Sequence, residues 1–223
     1  MIILLFAGVP IAFVLGGSSV LALAADSGTN MSIVIQRMFS GTGSFTLLAI
    51  PFFVLAGNLM SSGGISRRLV NLCNSFLGHI PGGLAMVAVA TCAFFAAISG
   101  SSAATAAAVG AIIVPEMLKH KYDRNFAAGT IASSAELGVI IPPSIPFIMY
   151  GMASGASVSS LFLAGVIPGL MIGLLLMLYA IYHCRRYGED REKIHAEIHL
   201  LHEKGLFRVL RESFFALLSP VII

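Results

Sequence analysis

Residues 82–118 read GGLAMVAVATCAFFAAISGSSAATAAAVGAIIVPEML, an apolar stretch with Ser99-Gly100-Ser101-Ser102 at its centre. One straight helix over these residues would be roughly 55 Å long at 1.5 Å per residue, well beyond the ~30 Å hydrocarbon core of a bilayer. The stretch therefore predicts a helix-turn-helix, either two short spans or a re-entrant hairpin. Between Ala96 and Ala111, fourteen of sixteen residues are Ala, Gly, Ser or Thr. Small side chains let helix backbones approach closely, so packing is one role for them. A hairpin tip also presents carbonyls from one arm and amides from the other. Hydroxyls beside it can replace part of a cation's water shell or bind a carboxylate, which is the other role.

The next apolar stretch, Phe126 to Tyr150, carries Pro142-Pro143 with Pro146 close behind. Adjacent prolines remove two backbone donors and push the preceding residue out of the helical region, so this helix must be interrupted. Just before the break stands Glu136, the only charged side chain from Ala127 to Tyr182. A charge at mid-bilayer costs about 3 kcal/mol on insertion scales, so it faces a cavity, finds a partner or reaches the interface. Two readings follow. Glu136 is a cation or proton ligand beside carbonyls that the prolines leave without donors, or it snorkels toward the basic loop that contains Arg124.

Working outward, the 223 residues are 57% hydrophobic and 10% charged, with a mean hydropathy of +0.94. That composition lies outside the soluble range and marks an all-α integral membrane protein. Further apolar stretches run from Met1 to Ala25, Phe45 to Met60 and Ser159 to His183, and another starts near Phe207. The first has no basic residue before it and exceeds a signal-peptide core in length, so it reads as a retained span. Cys73, Cys92 and Cys184 form neither a CxxC pair nor an even set, which argues against a disulfide framework or zinc site. No phosphate loop, HExxH or nucleophile elbow is present, so an enzyme is not expected. The net charge of +3 is too small and scattered for nucleic-acid binding.

Lys and Arg are retained preferentially on the cytoplasmic side. The cluster from Arg185 to Arg211 places the end of the fifth stretch inside and the uncharged 151–158 connection outside. Lys119, Lys121 and Arg124 then lie inside. A hairpin over 82–118 returns the chain to that side, placing Arg67 and Arg68 inside as well. Twelve of the thirteen basic residues agree, with Arg37 the exception. The amino terminus is then cytoplasmic and the Asp26–Ser44 loop external. Residues 184–206 read as a cytoplasmic amphipathic linker, with Ile194, Ile198 and Leu201 at helical spacing. His195, His199 and His202 beside that stripe read as surface histidines rather than a metal site.

Several motifs occur in order: Gly8-Val9-Pro10-Ile11-Ala12-Phe13, Ile50-Pro51-Phe52-Phe53-Val54-Leu55-Ala56-Gly57, Ile98-Ser99-Gly100-Ser101-Ser102-Ala103-Ala104-Thr105, Pro115-Glu116-Met117, Leu137-Gly138 through Ile140-Ile141-Pro142-Pro143-Ser144-Ile145, Tyr150-Gly151, and Leu161-Phe162-Leu163-Ala164-Gly165 through Ile167-Pro168-Gly169. Together they resemble the large membrane (permease) subunit of tripartite ATP-independent periplasmic (TRAP) transporters, dicarboxylate type. The resemblance implies one inverted repeat of an elevator-type fold in the bacterial inner membrane, importing organic acids such as C4-dicarboxylates with sodium as coupling ion and no other cofactor. It also implies a small membrane subunit and a periplasmic solute-binding protein as partners. Carried over by motif, the ion and substrate site comprises Ser99, Gly100, Ser101 and Ser102 on the hairpin with Glu136, Gly138, Pro142, Pro143 and Ser144 at the break. Glu136 departs from the small or hydroxyl residue of the family pattern.

Family members are about twice as long. Residues 1–183 thus read as the first membrane repeat, with its hairpin near 82–118 and broken helix near 126–150, and 207–223 as the start of a second repeat. A truncated, non-transporting membrane scaffold is the competing reading, and an exchanger of related broken-helix fold without a binding protein is another. No residue distinguishes a dicarboxylate from a sugar acid or sialic acid.

Overall fold

The computed structural model describes residues 1–25 and 32–187. These divide into two units, one ending at Leu48 and the other beginning at Ala49.

The first unit holds α1 (Ile2–Phe6), α2 (Ile11–Ala25) and α3 (Ser32–Thr42). Two sequence expectations are corrected here. The stretch from Met1 to Ala25 is two helices, because Gly8 adopts φ 74° and Pro10 has no amide to continue α1. The Asp26–Ser44 connection is not a plain loop, since α3 fills most of it. Both misreadings arise from weighing hydropathy over long windows, which hides short breaks and short amphipathic helices.

α4 (Phe45–Ser62) starts in the first unit and has most of its residues in the second. There it is followed by α5 (Ile65–Leu77), α6 (Gly83–Ser99), α7 (Ser102–Lys119), α8 (Arg124–Ala135), α9 (Leu137–Ile140), α10 (Ile145–Ser154) and α11 (Val158–Tyr187). α6 is apolar on all sides and buried along most of its surface, with Phe94 exposed, packing against α5, α7, α8, α9 and α11. α5 is amphipathic: Ser66, Leu69, Leu72 and Cys73 turn inward at helical spacing while Arg67 and Arg68 stay exposed. Asp123 starts α8, its carboxylate accepting from the amides of Asn125 (2.9 Å) and Phe126 (3.0 Å). The three cysteines are free and buried.

Two helices, Ser102–Lys119 and Val158–Tyr187, are each long and apolar enough to cross a bilayer, and α8–α9 with α10 form a pair bent by 42°. α6 and α7 flank a turn at Gly100, and α8–α9 and α10 flank the Pro142-Pro143 segment. α11 continues four residues past His183, through Arg185 and Arg186. Its exposed face carries Leu163, Ile167, Leu170, Leu174 and Leu178, surface suited to lipid or to another membrane helix. Near its end, His183 stacks on Phe126 at 3.8 Å with Tyr179 and Tyr187 alongside. Arg186 Nη1 donates to Tyr182 Oη at 2.9 Å. This cluster of amphipathic rings and cations is the composition of a membrane–water boundary. His195, His199 and His202, most of the 184–206 linker and residues 207–223 lie outside the described residues.

Candidate functional site

The α6–α7 turn is built by Gly100, which ends α6 in the left-handed conformation at φ 61° and sends its N–H to Ala96 O. Ser101 then turns extended and opens α7, its Oγ accepting from Ala104 N at 3.4 Å. Behind the turn, Ser99 Oγ and Thr105 Oγ1 are 3.0 Å apart, and Thr105 Oγ1 donates to Ser101 O at 2.8 Å. Ser99 and Thr105 are both buried. The tip therefore holds the Ser99 and Thr105 hydroxyls in a fixed arrangement rather than leaving them to solvent.

At the helix break, the regular helical donors to Gly138 O and Val139 O would be the amides of residues 142 and 143, and both are proline. Ser144 supplies a substitute: its buried Oγ donates to Val139 O at 2.6 Å and accepts from Phe147 N at 3.3 Å, capping α10. Among the described residues no such replacement donor to Gly138 O is seen. A carbonyl in that state at a break inside a membrane fold is the usual raw material of a cation site.

These two features are in contact. Ile145 N donates to Gly100 O at 3.3 Å, joining the break to the hairpin turn. A Cβ on Gly100 would stand 2.8 Å from Pro143 O. One on Gly138 would stand 3.0 Å from the Ser101 carbonyl group and 3.1 Å from Ser102 N. Glycine at both positions is what lets the two backbones meet. Ser99, Gly100, Ser101, Ser102, Gly138, Pro142, Pro143 and Ser144 are therefore gathered in one region, forty residues apart in sequence. Around them converge hydroxyls, backbone carbonyls and the amide end of α7, hard oxygen donors that suit sodium and a positive helix end that suits a carboxylate. Among the described residues no cluster of His, Cys, Asp or Glu fits a transition metal.

Glu136 sits at the α8–α9 junction with an exposed side chain. Its main-chain carbonyl accepts from Val139 N at 3.1 Å, while the carboxylate is not drawn into the contact between hairpin and break. Sequence reading missed Thr105, although it is the only threonine in the small-residue run from Ala96 to Ala111. It also missed Gly57 of α4, where a Cβ would lie 3.3 Å from Ser99 Cα. Gly165 and Gly169 of α11 were likewise missed as site-builders: they lie against Ile140 and Ile141 beside the break.

The family described as "Tripartite ATP-independent periplasmic transporter, DctM component" matches the chain over residues 1–223. The chain belongs to that family. An isethionate TRAP transporter permease protein of Oleidesulfovibrio alaskensis is 41% identical over 98% of this chain and 34% of its own length. A sialic acid TRAP transporter large permease protein of Vibrio cholerae is 39% identical, over 99% of this chain and 50% of its own length. A C4-dicarboxylate TRAP transporter large permease protein of Vibrio cholerae is 46% identical, over 80% of this chain and 40% of its own length. The chain thus spans half or less of the length of these relatives. DctM-family proteins are transporter components rather than enzymes, and this member is an all-α, multi-pass membrane protein.

Proposed function

We propose that this chain forms the first repeat of a secondary, sodium-coupled importer of organic acids in the bacterial inner membrane, working with a small membrane subunit and a periplasmic solute-binding protein. The observation that carries the reading is the backbone contact between hairpin tip and helix break, where Gly100, Gly138 and Ser144 bring oxygen donors together. The printed names of the relatives, for isethionate, sialic acid and C4-dicarboxylates, support an organic-anion substrate class. The residues at the contact would hold the ion, and movement of that unit against the remainder of the transporter would carry the substrate across.

The test is sodium-dependent uptake of organic acids in proteoliposomes containing the complete assembly. Ser102→Ala is the informative change, because Ser102 is partly exposed at the tip. By contrast, Ser101 also caps α7, so Ser101→Ala would add a stability loss of about 1 kcal/mol. The sodium concentration for half-maximal uptake is expected to rise roughly tenfold in Ser102→Ala, corresponding to about 1.4 kcal/mol of lost ion binding. Glu136→Gln, at an exposed carboxylate, is expected to leave it within about twofold. Uptake that does not respond to sodium in the unmodified assembly would overturn the coupling, and no uptake at all would favour the scaffold reading.

Topology is tested separately. With the amino terminus cytoplasmic, a cysteine at exposed Ser154 is expected to react with an impermeant thiol reagent added outside, and one at exposed Lys121 to react only after permeabilisation. The reverse pattern would invert the orientation.

A further inference from the structure

A cavity of about 520 Å³ opens between α4, the start of α5 and one side of the hairpin, and Gly57, which packs against Ser99, lines its edge. Its floor is apolar: Phe95 of α6 with Ala104, Ala107, Ala108, Ala111 and Ile112 of α7. Its polar end is the first turn of α5, where Gly64, Ser66 and Arg67 line the wall together with Asn58 of α4. Three independent features of this end favour negative charge. α5 is a thirteen-residue helix, and no side chain caps its amino terminus, so its first amides and the positive end of its dipole are available. Ser66 is 3% exposed, and its Oγ has no hydrogen-bond partner. A buried hydroxyl without a partner costs about 1–3 kcal/mol, a cost that a bound acceptor would remove. Arg67 adds a guanidinium whose fork matches carboxylate or phosphate oxygens. Among the described residues no acidic side chain lines the cavity, and Glu116, further along α7, is engaged by Lys119 and His120 at 3.3 Å each.

We propose that this cavity is an oxyanion site: the first turn of α5, with Ser66 and Arg67, binds the carboxylate or phosphate of a molecule whose apolar part lies along the alanine face of α7. Its volume is that of a small-molecule site. Two sources share the chemistry, the headgroup of an anionic phospholipid and a free organic acid. The site stands on these residues independently of sodium coupling at the hairpin tip.

The experiment measures binding to the intact assembly purified in neutral detergent, titrating phosphatidylglycerol, phosphatidylcholine and succinate separately, by native mass spectrometry for the lipids and by calorimetry for succinate. Phosphatidylglycerol binding in excess of phosphatidylcholine identifies a lipid headgroup, and succinate binding identifies a free acid. Whichever anion binds, Arg67→Gln is expected to weaken it roughly tenfold and Ser66→Ala severalfold. Arg67→Lys, which keeps the charge but not the fork, should bind more tightly than Arg67→Gln and more weakly than the parent, which separates lost recognition from misfolding. Arg68→Gln is the control, an adjacent exposed cation that does not line the cavity. The proposal fails if neither anion binds in preference to phosphatidylcholine. It also fails if Arg67→Gln and Ser66→Ala bind like the parent, or if Arg68→Gln loses as much as Arg67→Gln, since that would mean diffuse attraction rather than a site.

Discussion

Gly100→Ala is expected to abolish sodium-dependent uptake and to destabilise the assembly by about 3 kcal/mol or more, whereas Gly155→Ala should cost only about 1 kcal/mol and leave transport intact. Both glycines adopt the left-handed region, at φ 61° and φ 75°, so both substitutions carry the same conformational penalty. They differ in what an added methyl group would meet. At Gly155 nothing lies within 4 Å, while at Gly100 the methyl would stand 2.8 Å from the carbonyl oxygen of Pro143. That oxygen is main chain, held by two prolines and by the Ile145 N–H to Gly100 O bond, so it cannot rotate away as a side chain would. Relief requires the helix break to separate from the hairpin tip, which disassembles the proposed ion site. Thermal unfolding in detergent, read beside proteoliposome uptake, checks both parts. Equal losses for the two variants would mean that the contact contributes nothing beyond the turn conformation.

The second large effect is a graded one along α11. Gly165, Gly169 and Gly173 lie on one side of that helix, facing the α9–α10 break and α9. A Cβ at Gly165 would stand 2.5 Å from both Ile140 O and Phe147 Cε2; at Gly169, 2.8 Å from Ile141 Cγ1; at Gly173, 3.7 Å from Leu137 Cδ1. The first clash involves main chain, the second a side chain that can shift, and the third is ordinary contact. Gly165→Ala is therefore expected to cost about 3 kcal/mol and most of the uptake, and Gly169→Ala roughly 1 kcal/mol. Gly173→Ala should be neutral or stabilising by up to about 1 kcal/mol, because alanine favours a helix interior over glycine. Differential scanning fluorimetry of the three variants gives the order. A flat series would show that α11 does not set the position of the break.

How much of this was legible beforehand depends on the range of the interaction. The hairpin over 82–118 and the interruption at Pro142-Pro143 are local: length against bilayer thickness decides the first, and missing amides decide the second. Both were readable without coordinates. The short break between α1 and α2 and the helix α3 were not read, because neither changes the average hydropathy of its neighbourhood. Glu136 drew notice as a lone charge, yet its exposure depends on which side of the α8–α9 junction faces outward, and a half-turn rotation would reverse it.

By itself the sequence determined that the protein is a helical membrane protein, where its helices must turn or break, and which residues lack ordinary backbone partners. Those are consequences of solvent transfer and of covalent chemistry within a few residues. The tertiary structure alone decided that Gly100 meets Pro143, that Gly138 meets Ser101 and Ser102, that Thr105 pairs with Ser99, and that Ser66 and Arg67 open onto a cavity with α7. The Ser99–Thr105 pair joins α6 to α7 at 3.0 Å, and the two glycine contacts join the hairpin turn to the helix break, where an added Cβ would stand 2.8 Å and 3.0 Å from main chain. Which faces of close-packed helices meet is set by the shapes of all the side chains between them, and no window of neighbouring residues contains that information.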